Sequence, residues 1–231
     1  MLRQTCGLLK MIAHKESRRG SLRTMSLELL VGPMFAGKSS ALQSIVKRHQ
    51  SLGWNMLVLN HSSDIRYGTS SFVINHDKQV VPAISVKELI PMLKEREFLY
   101  AQLIVIDEAQ FFDDLLDFVV TALDVYEKHI IVVGLDGNAE RKPFGQIGLL
   151  LPHCDKITKL TAFCAYCKDA TPAIFTYAKR EDAASAASSG TPYVGTGDAY
   201  VPLCRKHYRM TLKPHLVATT RSETLSISYT S

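Results

Sequence analysis

The segment from Gly32 to Ser39 carries the residues best suited to chemistry. Its sequence, GPMFAGKS, fits the pattern GxxxxGK[ST] in full, in which a glycine-rich loop wraps its backbone N–H groups around phosphate oxygens. Lys38 is expected to reach the β- and γ-phosphates of ATP, and the Ser39 hydroxyl to bind Mg²⁺. The predicted ATP·Mg²⁺ loop consists of Gly32, Pro33, Met34, Phe35, Ala36, Gly37, Lys38 and Ser39.

Two acidic residues, Asp107 and Glu108, follow the apolar run LIVI. Asp107 suits the acid that holds Mg²⁺ directly or through water. Side chains alternate along a strand, so Glu108 should turn toward whatever lies beside the phosphates. There a carboxylate can accept the proton of an acceptor hydroxyl. Paired acids at a strand end are often only solvated surface, but the upstream phosphate loop favours a catalytic pair.

Two short motifs, Cys164-x-x-Cys167 and Cys204-x-x-His207, can together supply four tetrahedral ligands to Zn²⁺. One such pair alone could be redox-active or buried, whereas two pairs favour a structural zinc site that joins both ends of the intervening loop. The chain has five cysteines, an odd number without a secretory signal, which argues against a disulfide scaffold. Cys154 has no partner pattern and is predicted to be a core residue.

The elements that must position these residues follow an alternating α/β pattern. Short apolar runs predict strands buried on both faces at 27–31, 56–59, 103–106 and 130–133. Apolar residues at helical spacing predict helices at 39–49, 86–93 and 115–126, the last with Asp113 as its N-cap. Strands that alternate with helices predict a P-loop NTPase-like, doubly wound parallel sheet, with ligands beyond the carboxyl ends of its strands.

The chain divides into four predicted segments. Residues 26–160 form the ATP-binding α/β domain, and 161–210 form a small zinc-binding domain with short strands such as Ala173–Tyr177. Within that domain, residues 181–199 are rich in small residues and are either a substrate lid or disordered. Residues 211–231 are expected to be a flexible tail. Residues 1–25 are a basic tail, predicted to be disordered.

The charge of the chain lies in that N-terminal tail. The net charge is +5, and residues 1–25, with six basic side chains and one acidic one, carry all of it. The remainder is neutral, so bulk charge does not support a nucleic-acid partner. No run of eighteen apolar residues occurs, so no membrane span is expected. A cytoplasmic location is predicted, although an Arg-rich tail also leaves mitochondrial import as an alternative.

Six motifs in a fixed order resemble the cytosolic-type (type II) thymidine kinases. They are LLVGPMFAGKS (29–39), DIRY (64–67), IDEAQFF (106–112), GLDGNAERKPFG (134–145), KLTAFCAYC (159–167) and GDAYVPLCRKH (197–207). The resemblance implies ATP- and Mg²⁺-dependent phosphorylation of the 5′-hydroxyl of thymidine, with Glu108 as the catalytic base. It also implies that Asp64, Arg66 and Gln110 lie on the nucleotide side, and that the protein is a homotetramer.

The resemblance further implies a thymidine pocket and a lid. The pocket positions are Met34, Phe111, Leu135, Phe144, Thr176 and Tyr200. The lid that closes over the base, largely through backbone groups, corresponds to Thr191, Pro192, Tyr193, Val194 and Gly195. The sequence departs from the family pattern at several positions, which include Ala109, Ala139, Thr196 and His207. Ala139 stands where relatives often carry a larger aromatic. His207 stands where many carry a fourth cysteine, although histidine is an equally competent zinc ligand.

Three other functions compete with this interpretation. One is a P-loop kinase for another nucleoside or a nucleotide. Another is a nucleic-acid-stimulated ATPase, because IDEAQ resembles helicase motifs, but the neutral core and the lack of a second motor domain argue against it. The third is a zinc-dependent binding module without catalysis. The joint presence of Lys38, Ser39, Asp107 and Glu108 argues against that module.

Deletion of residues 1–24, so that the chain starts at Met25, is expected to leave catalytic activity intact because every motif lies downstream. Activity of the shortened protein checks this directly. A fluorescent protein fused to residues 1–25 should stay in the cytosol, and clean mitochondrial import would contradict the predicted location.

Overall fold

A computed structural model describes residues 25–63, 72–74, 80–179 and 199–212. The first eight strands are β1 (Ser26–Val31), β2 (Met56–His61), β3 (Phe72–Ile74), β4 (Val80–Pro82), β5 (Ile84–Val86), β6 (Leu103–Asp107), β7 (His129–Gly134) and β8 (Lys156–Lys159). Six of them form one sheet in the order β5-β2-β6-β7-β1-β8. All neighbours in this sheet pair in parallel, while β3 and β4 form a separate antiparallel pair.

The central strands are apolar because both faces of the sheet are covered. Every residue of β6 is buried. Its alternate residues enter different clusters: Ile104 and Ile106 pack with Phe118 on one face, and Val105 packs with Val46 on the other. These clusters belong to helices on opposite faces of the sheet, as in a doubly wound fold. The predicted fold class is confirmed.

The helices of this part of the chain are α1 (Lys38–Ser51), α2 (Arg96–Tyr100) and α3 (Leu115–Asp124). Short 3₁₀ segments cover Ile90–Lys94, Ala109–Phe111 and Ile147–His153. None of the helices within the described residues is long and apolar enough to cross a membrane.

Beyond β8 the described residues, 160–179 and 199–212, form two small antiparallel pairs and one helix. The elements are β9 (Ala162–Phe163), β10 (Pro172–Ala173), β11 (Phe175–Ala178), β12 (Tyr200–Leu203) and α4 (Arg205–Thr211). β9 pairs with β10 and β11 with β12, and Leu203 and Tyr208 are buried in the core that they share. The domain boundary expected at residue 160 stays a prediction.

The four predicted central strands and the first helix are confirmed within two residues at each end. The helix predicted at 86–93 is wrong. Val86 instead ends β5, where it pairs with His61 of β2, and only a 3₁₀ segment with Pro91 in its first turn follows. Cys154 is half-buried at the margin of the main core rather than inside it.

The predicted N-cap of α3 is also wrong by one residue. Asp114, not Asp113, precedes the helix, and its side chain makes no capping hydrogen bond to it. Its Oδ2 instead accepts hydrogen bonds from the N–H groups of Leu89 (2.7 Å) and Ile90 (2.8 Å). Asp114 therefore satisfies the first turn of a different segment, because the chain before α3 packs against Ile90–Lys94.

We expect Asp114→Ala to lower the free energy of unfolding by about 1–3 kcal/mol, because two N–H donors lose a charged acceptor. Denaturant titration measures this. Asp113→Ala is the matched control, since the Asp113 side chain is exposed, and it should change stability by no more than about 0.5 kcal/mol. Equal losses in the two variants would contradict the assignment.

Candidate functional site

Three chain segments meet at one edge of the sheet because their strands are parallel and paired in register. Val31, the last residue of β1, pairs with Gly134 of β7, and Ile106 of β6 pairs with Val132 of β7. The loop after β1, the acids at the end of β6 and the loop after β7 therefore leave the sheet side by side. This is where ligands of doubly wound sheets bind.

The glycine-rich loop connects β1 to the N-terminus of α1. Gly32 has φ 153° and approaches the carbonyl of Leu160 so closely that a Cβ would lie 2.5 Å from its oxygen. Phe35 and Gly37 also have positive φ, 64° and 78°. Lys38 Nζ donates hydrogen bonds to the carbonyl oxygens of Gly32 (3.2 Å) and Pro33 (2.8 Å). The ammonium thus lies over the loop, beside the N–H groups of a helix terminus.

Asp107 and Glu108 are both buried at the end of β6. The backbone N–H of Glu108 donates to Asp107 Oδ1 at 3.0 Å. Glu108 itself has φ 50°, a left-handed conformation that costs a non-glycine residue of order 1–3 kcal/mol and is found most often at functional sites. Asp107 at this edge and Ser39 in the first turn of α1 are the oxygen ligands that Mg²⁺ prefers.

Gln110 connects Glu108 to the end of β7. Its Nε2 donates to Glu108 Oε2 at 2.6 Å, and its Oε1 accepts from the N–H of Leu135 at 3.0 Å. Its side chain is buried. The structure therefore places Gln110 against the predicted base, a contact that motif comparison did not indicate.

The predicted thymidine-pocket residues fall into two groups. In the first, Phe111 and Phe144 meet edge to face with ring centroids 5.6 Å apart, and Leu135 follows β7. In the second, the N–H of Met34 donates to Thr176 Oγ1 at 3.0 Å.

Tyr200 joins the second group. It is buried in a small cluster with Ala178 and Ala199, against which Met34 and Ala139 pack. Ala139 belongs to the loop after β7, so this cluster brings that loop and the phosphate loop together with β11 and β12. Asp64, Arg66 and the lid residues Thr191–Gly195 lie outside the described residues, and their roles stay predictions.

His61 was missed by the sequence reasoning. It is the last residue of β2, it is buried, and its ring centroid lies 5.8 Å from that of Phe111 and 4.7 Å from that of Phe112. Its Nδ1 accepts from the N–H of Ser63 at 3.1 Å, which places the ring proton on Nε2 in the neutral form. The only sequence signal was its position at the end of a strand.

The four predicted zinc ligands converge: one donor atom from each of Cys164, Cys167, Cys204 and His207 lies within 4.8 Å of all the others. His207 Nδ1 is 3.4, 3.3 and 3.5 Å from the three sulfurs, and Cys167 Sγ is 3.8 Å from Cys204 Sγ. Tetrahedral zinc with usual bond lengths requires about 3.5 Å between nitrogen and sulfur and about 3.8 Å between sulfurs. The donor set fits this metal.

Backbone groups already favour a thiolate in this cluster. Burial raises the pKa of the Cys164 thiol, but N–H donors, among them that of Cys204 at 3.3 Å, outweigh it and lower the pKa to about 6. Burial and the neighbouring sulfurs raise the pKa of Cys167 to about 11. Crowded sulfurs cannot all ionise without a cation beside them.

Tyr208 links the Cys/His cluster to the loop after β7. Tyr208 follows the ligand His207 directly, and its hydroxyl donates to the carbonyl of Ala139 at 2.6 Å. The guanidinium of Arg141 lies over the Tyr208 ring, 4.6 Å from its centroid. The cluster of Cys164, Cys167, Cys204 and His207 therefore lies next to Tyr208, which holds the loop between β7 and Phe144 at Ala139.

A phosphate loop beside a pair of buried carboxylates, Asp107 and Glu108, is the arrangement typical of P-loop phosphotransferases. A family model described as "Thymidine kinase" matches residues 25–208. The thymidine kinase of Oryza sativa subsp. japonica is 38% identical over 186 residues, which are 79% of this chain and 65% of that relative. Thymidine kinase a of Arabidopsis thaliana is 37% identical over 194 residues, 83% of this chain and 76% of the relative.

The thymidine kinase of Myxoma virus (strain Uriarra) is 37% identical over 183 residues, 79% of this chain and 95% of the relative. The chain therefore belongs to the thymidine kinase family, which confirms the resemblance seen in the motifs. Among solved structures, AMPPCP-bound DnaA from Aquifex aeolicus matches with a TM-score of 0.37 and 12% identity, over 70% of this chain and 48% of that one. Nothing is inferred from so distant a likeness.

Proposed function

We propose that this protein transfers the γ-phosphoryl group of ATP to the 5′-hydroxyl of thymidine and releases ADP and thymidine monophosphate. The observation that carries the proposal is the buried Glu108, held at the edge of the sheet where the phosphate loop also lies. Membership of the thymidine kinase family supplies the substrate. The side-chain oxygens of Ser39 and Asp107 suit Mg²⁺, and on this ground we propose that the reaction needs this metal.

The site residues divide the reaction between them. The loop 32–37 binds the phosphates through its N–H groups, and Lys38 turns from the loop carbonyls to the β- and γ-phosphates. Glu108 takes the proton of the 5′-hydroxyl group. The oxygen of that hydroxyl forms a bond to the γ-phosphorus, while the bond between this phosphorus and the ADP oxygen breaks. When bound, Mg²⁺ neutralises the charge on the transferred group.

The pocket residues orient thymidine toward Glu108. Phe111 and Phe144 present apolar surface for the base, while Thr176 holds the backbone at Met34. Asp64 and Arg66 would bind nucleotide phosphates, and the lid Thr191–Gly195 would close over the base. Closure would exclude water, which otherwise accepts the phosphoryl group.

A homotetramer in the cytoplasm completes the proposal. Both properties rest on the resemblance to the type II enzymes, and the division of the chain into domains at residue 160 rests on its motifs.

The purified protein is expected to phosphorylate thymidine with ATP, and only when Mg²⁺ is present. Radiolabelled ATP assayed against each of the common nucleosides measures this. If thymidine is inert and another nucleoside is turned over rapidly, the substrate is wrong but the kinase assignment holds. ATP hydrolysis stimulated by DNA or RNA, without nucleoside phosphorylation, would contradict both.

Glu108→Gln should lower kcat by roughly 10²–10⁴-fold, the usual range for loss of a general base. ATP binding should persist, because Lys38, Ser39 and Asp107 are unchanged. Lys38→Ala should instead weaken ATP binding and lower turnover together. Glu97→Gln makes the same chemical change on an exposed position of α2 and should leave kcat unaltered. Near-normal turnover in Glu108→Gln would exclude the assigned role.

We also propose that Cys164, Cys167, Cys204 and His207 bind one structural Zn²⁺. Their donor spacing supports this. The metal would have no part in the reaction, because four protein side chains would complete its tetrahedral coordination and leave no open position. It would hold α4 to the Cys164–Cys167 turn, and thereby keep Tyr208 against Ala139.

His207→Cys should retain one zinc per chain, and His207→Ala should loosen it, as measured by elemental analysis. Because the thiols must lose protons to bind the metal, zinc should be retained at neutral pH and released as the pH falls. Loss of zinc should weaken thymidine binding more than ATP binding. His153→Ala, on an exposed histidine, is the control. Active enzyme without zinc would contradict the proposal.

A further inference from the structure

We propose that Gln110 is a positioning residue, which holds the carboxylate of Glu108 in its reactive orientation and couples it to the thymidine pocket. This inference rests on the proposed function of Glu108 as the base. It adds a role that the nucleotide-side assignment of Gln110 does not contain. The Gln110 side chain acts through Glu108 and has no need to touch the reacting atoms.

The direction of the Gln110 amide is fixed by its partners. The N–H of Leu135 can only donate, so the amide oxygen must face it, at 3.0 Å. The amide nitrogen is then left facing Glu108, where it donates to Oε2 at 2.6 Å. With its side chain buried, Gln110 would lose both hydrogen bonds if it rotated, and water could not readily replace them. One carboxylate oxygen of Glu108 is therefore held in place.

Two glycines let the surrounding backbone approach Gln110 closely. A Cβ on Gly134 would lie 2.5 Å from Gln110 Oε1, and a Cβ on Gly145 would lie 2.2 Å from the Gln110 carbonyl oxygen. Gly145 also has φ 56°. The end of β7 and the loop before Ile147 therefore close on Gln110 from two sides. Any side chain at Gly134 would therefore displace the Gln110 amide, which holds the carboxylate of Glu108.

This arrangement accounts for the backbone of Glu108. Its φ of 50° is costly for a glutamate and persists only where neighbouring contacts determine it. The side chain is held by Gln110, and the backbone carbonyl accepts from the N–H of Phe111 at 3.2 Å. Phe111 and Leu135 both belong to the predicted thymidine pocket. Gln110 thus connects Glu108, the proposed catalytic base, to residues that would contact thymidine.

A double-mutant cycle tests the inference, with thymidine phosphorylation by the full chain as the assay. Gln110→Leu should lower kcat roughly 10- to 100-fold, the scale of a misplaced catalytic group, and should change the KM for ATP less than about twofold. In the Glu108→Gln background the same substitution should cost less than about threefold, because it then has no base to position. Equal losses in both backgrounds would overturn the inference.

The glycine neighbours supply a second test that leaves Gln110 in place. Gly134→Ala should lower kcat in the same range, and that loss should also disappear in the Glu108→Gln background. Gly148→Ala, where an added Cβ meets nothing within 4 Å, should leave kcat unchanged. A Gly134→Ala variant with normal kcat would overturn the inference. Near-normal turnover in Glu108→Gln alone would overturn the base role beneath it.

Discussion

The parallel pairing of β7 with both β1 and β6 is the constraint on which the site depends. Each strand has only one carboxyl end, and the register places Val31 beside Gly134 and Ile106 beside Val132. The polar residues of three distant parts of the sequence are thereby brought to one edge of the sheet. Direct contact among the three loops is not needed to place them there. Both faces of these strands are covered, so the hydrophobic cores on the two sides resist any change of register.

The elements after β8 are attached to the loops at that edge of the sheet. Thr176 accepts the N–H of Met34 in the phosphate loop, and Tyr208 donates to Ala139 in the loop after β7. Each is a single hydrogen bond worth only about 0.5–1.5 kcal/mol net, but both anchor a small unit whose own apolar core is limited. A metal at the Cys164–His207 cluster would contribute free energy that such a unit otherwise lacks, which is a physical reason for a metal site in this part of the chain.

Local patterns were sufficient to predict the central strands, the first helix, the tight loop between β1 and α1 and the grouping of Cys164, Cys167, Cys204 and His207, because each depends on residues close in sequence or on strict spacing. Tertiary contacts decided the rest. Asp114 accepts hydrogen bonds from Leu89 and Ile90, 25 and 24 residues away, so no local capping rule could identify it. Val86 became the end of a strand because β2 supplied a partner. The contacts of His61 with Phe111 and Phe112, and of Gln110 with Glu108 and Leu135, form only when β2, β6 and β7 are side by side.

The position of the Glu108 carboxylate depends on the backbone conformation that the fold imposes. A carboxylate directly after Asp107 in an extended strand would point to the opposite face of the sheet. The left-handed turn at Glu108 ends the strand instead and redirects the chain into the 3₁₀ segment Ala109–Phe111. The unfavourable backbone conformation is offset by the hydrogen bonds of that segment and by the burial of Ala109 and Phe112 in the main core. The free energy of the hydrophobic core is in this way used to hold one carboxylate at the edge of the sheet, where its proposed role as the base requires it.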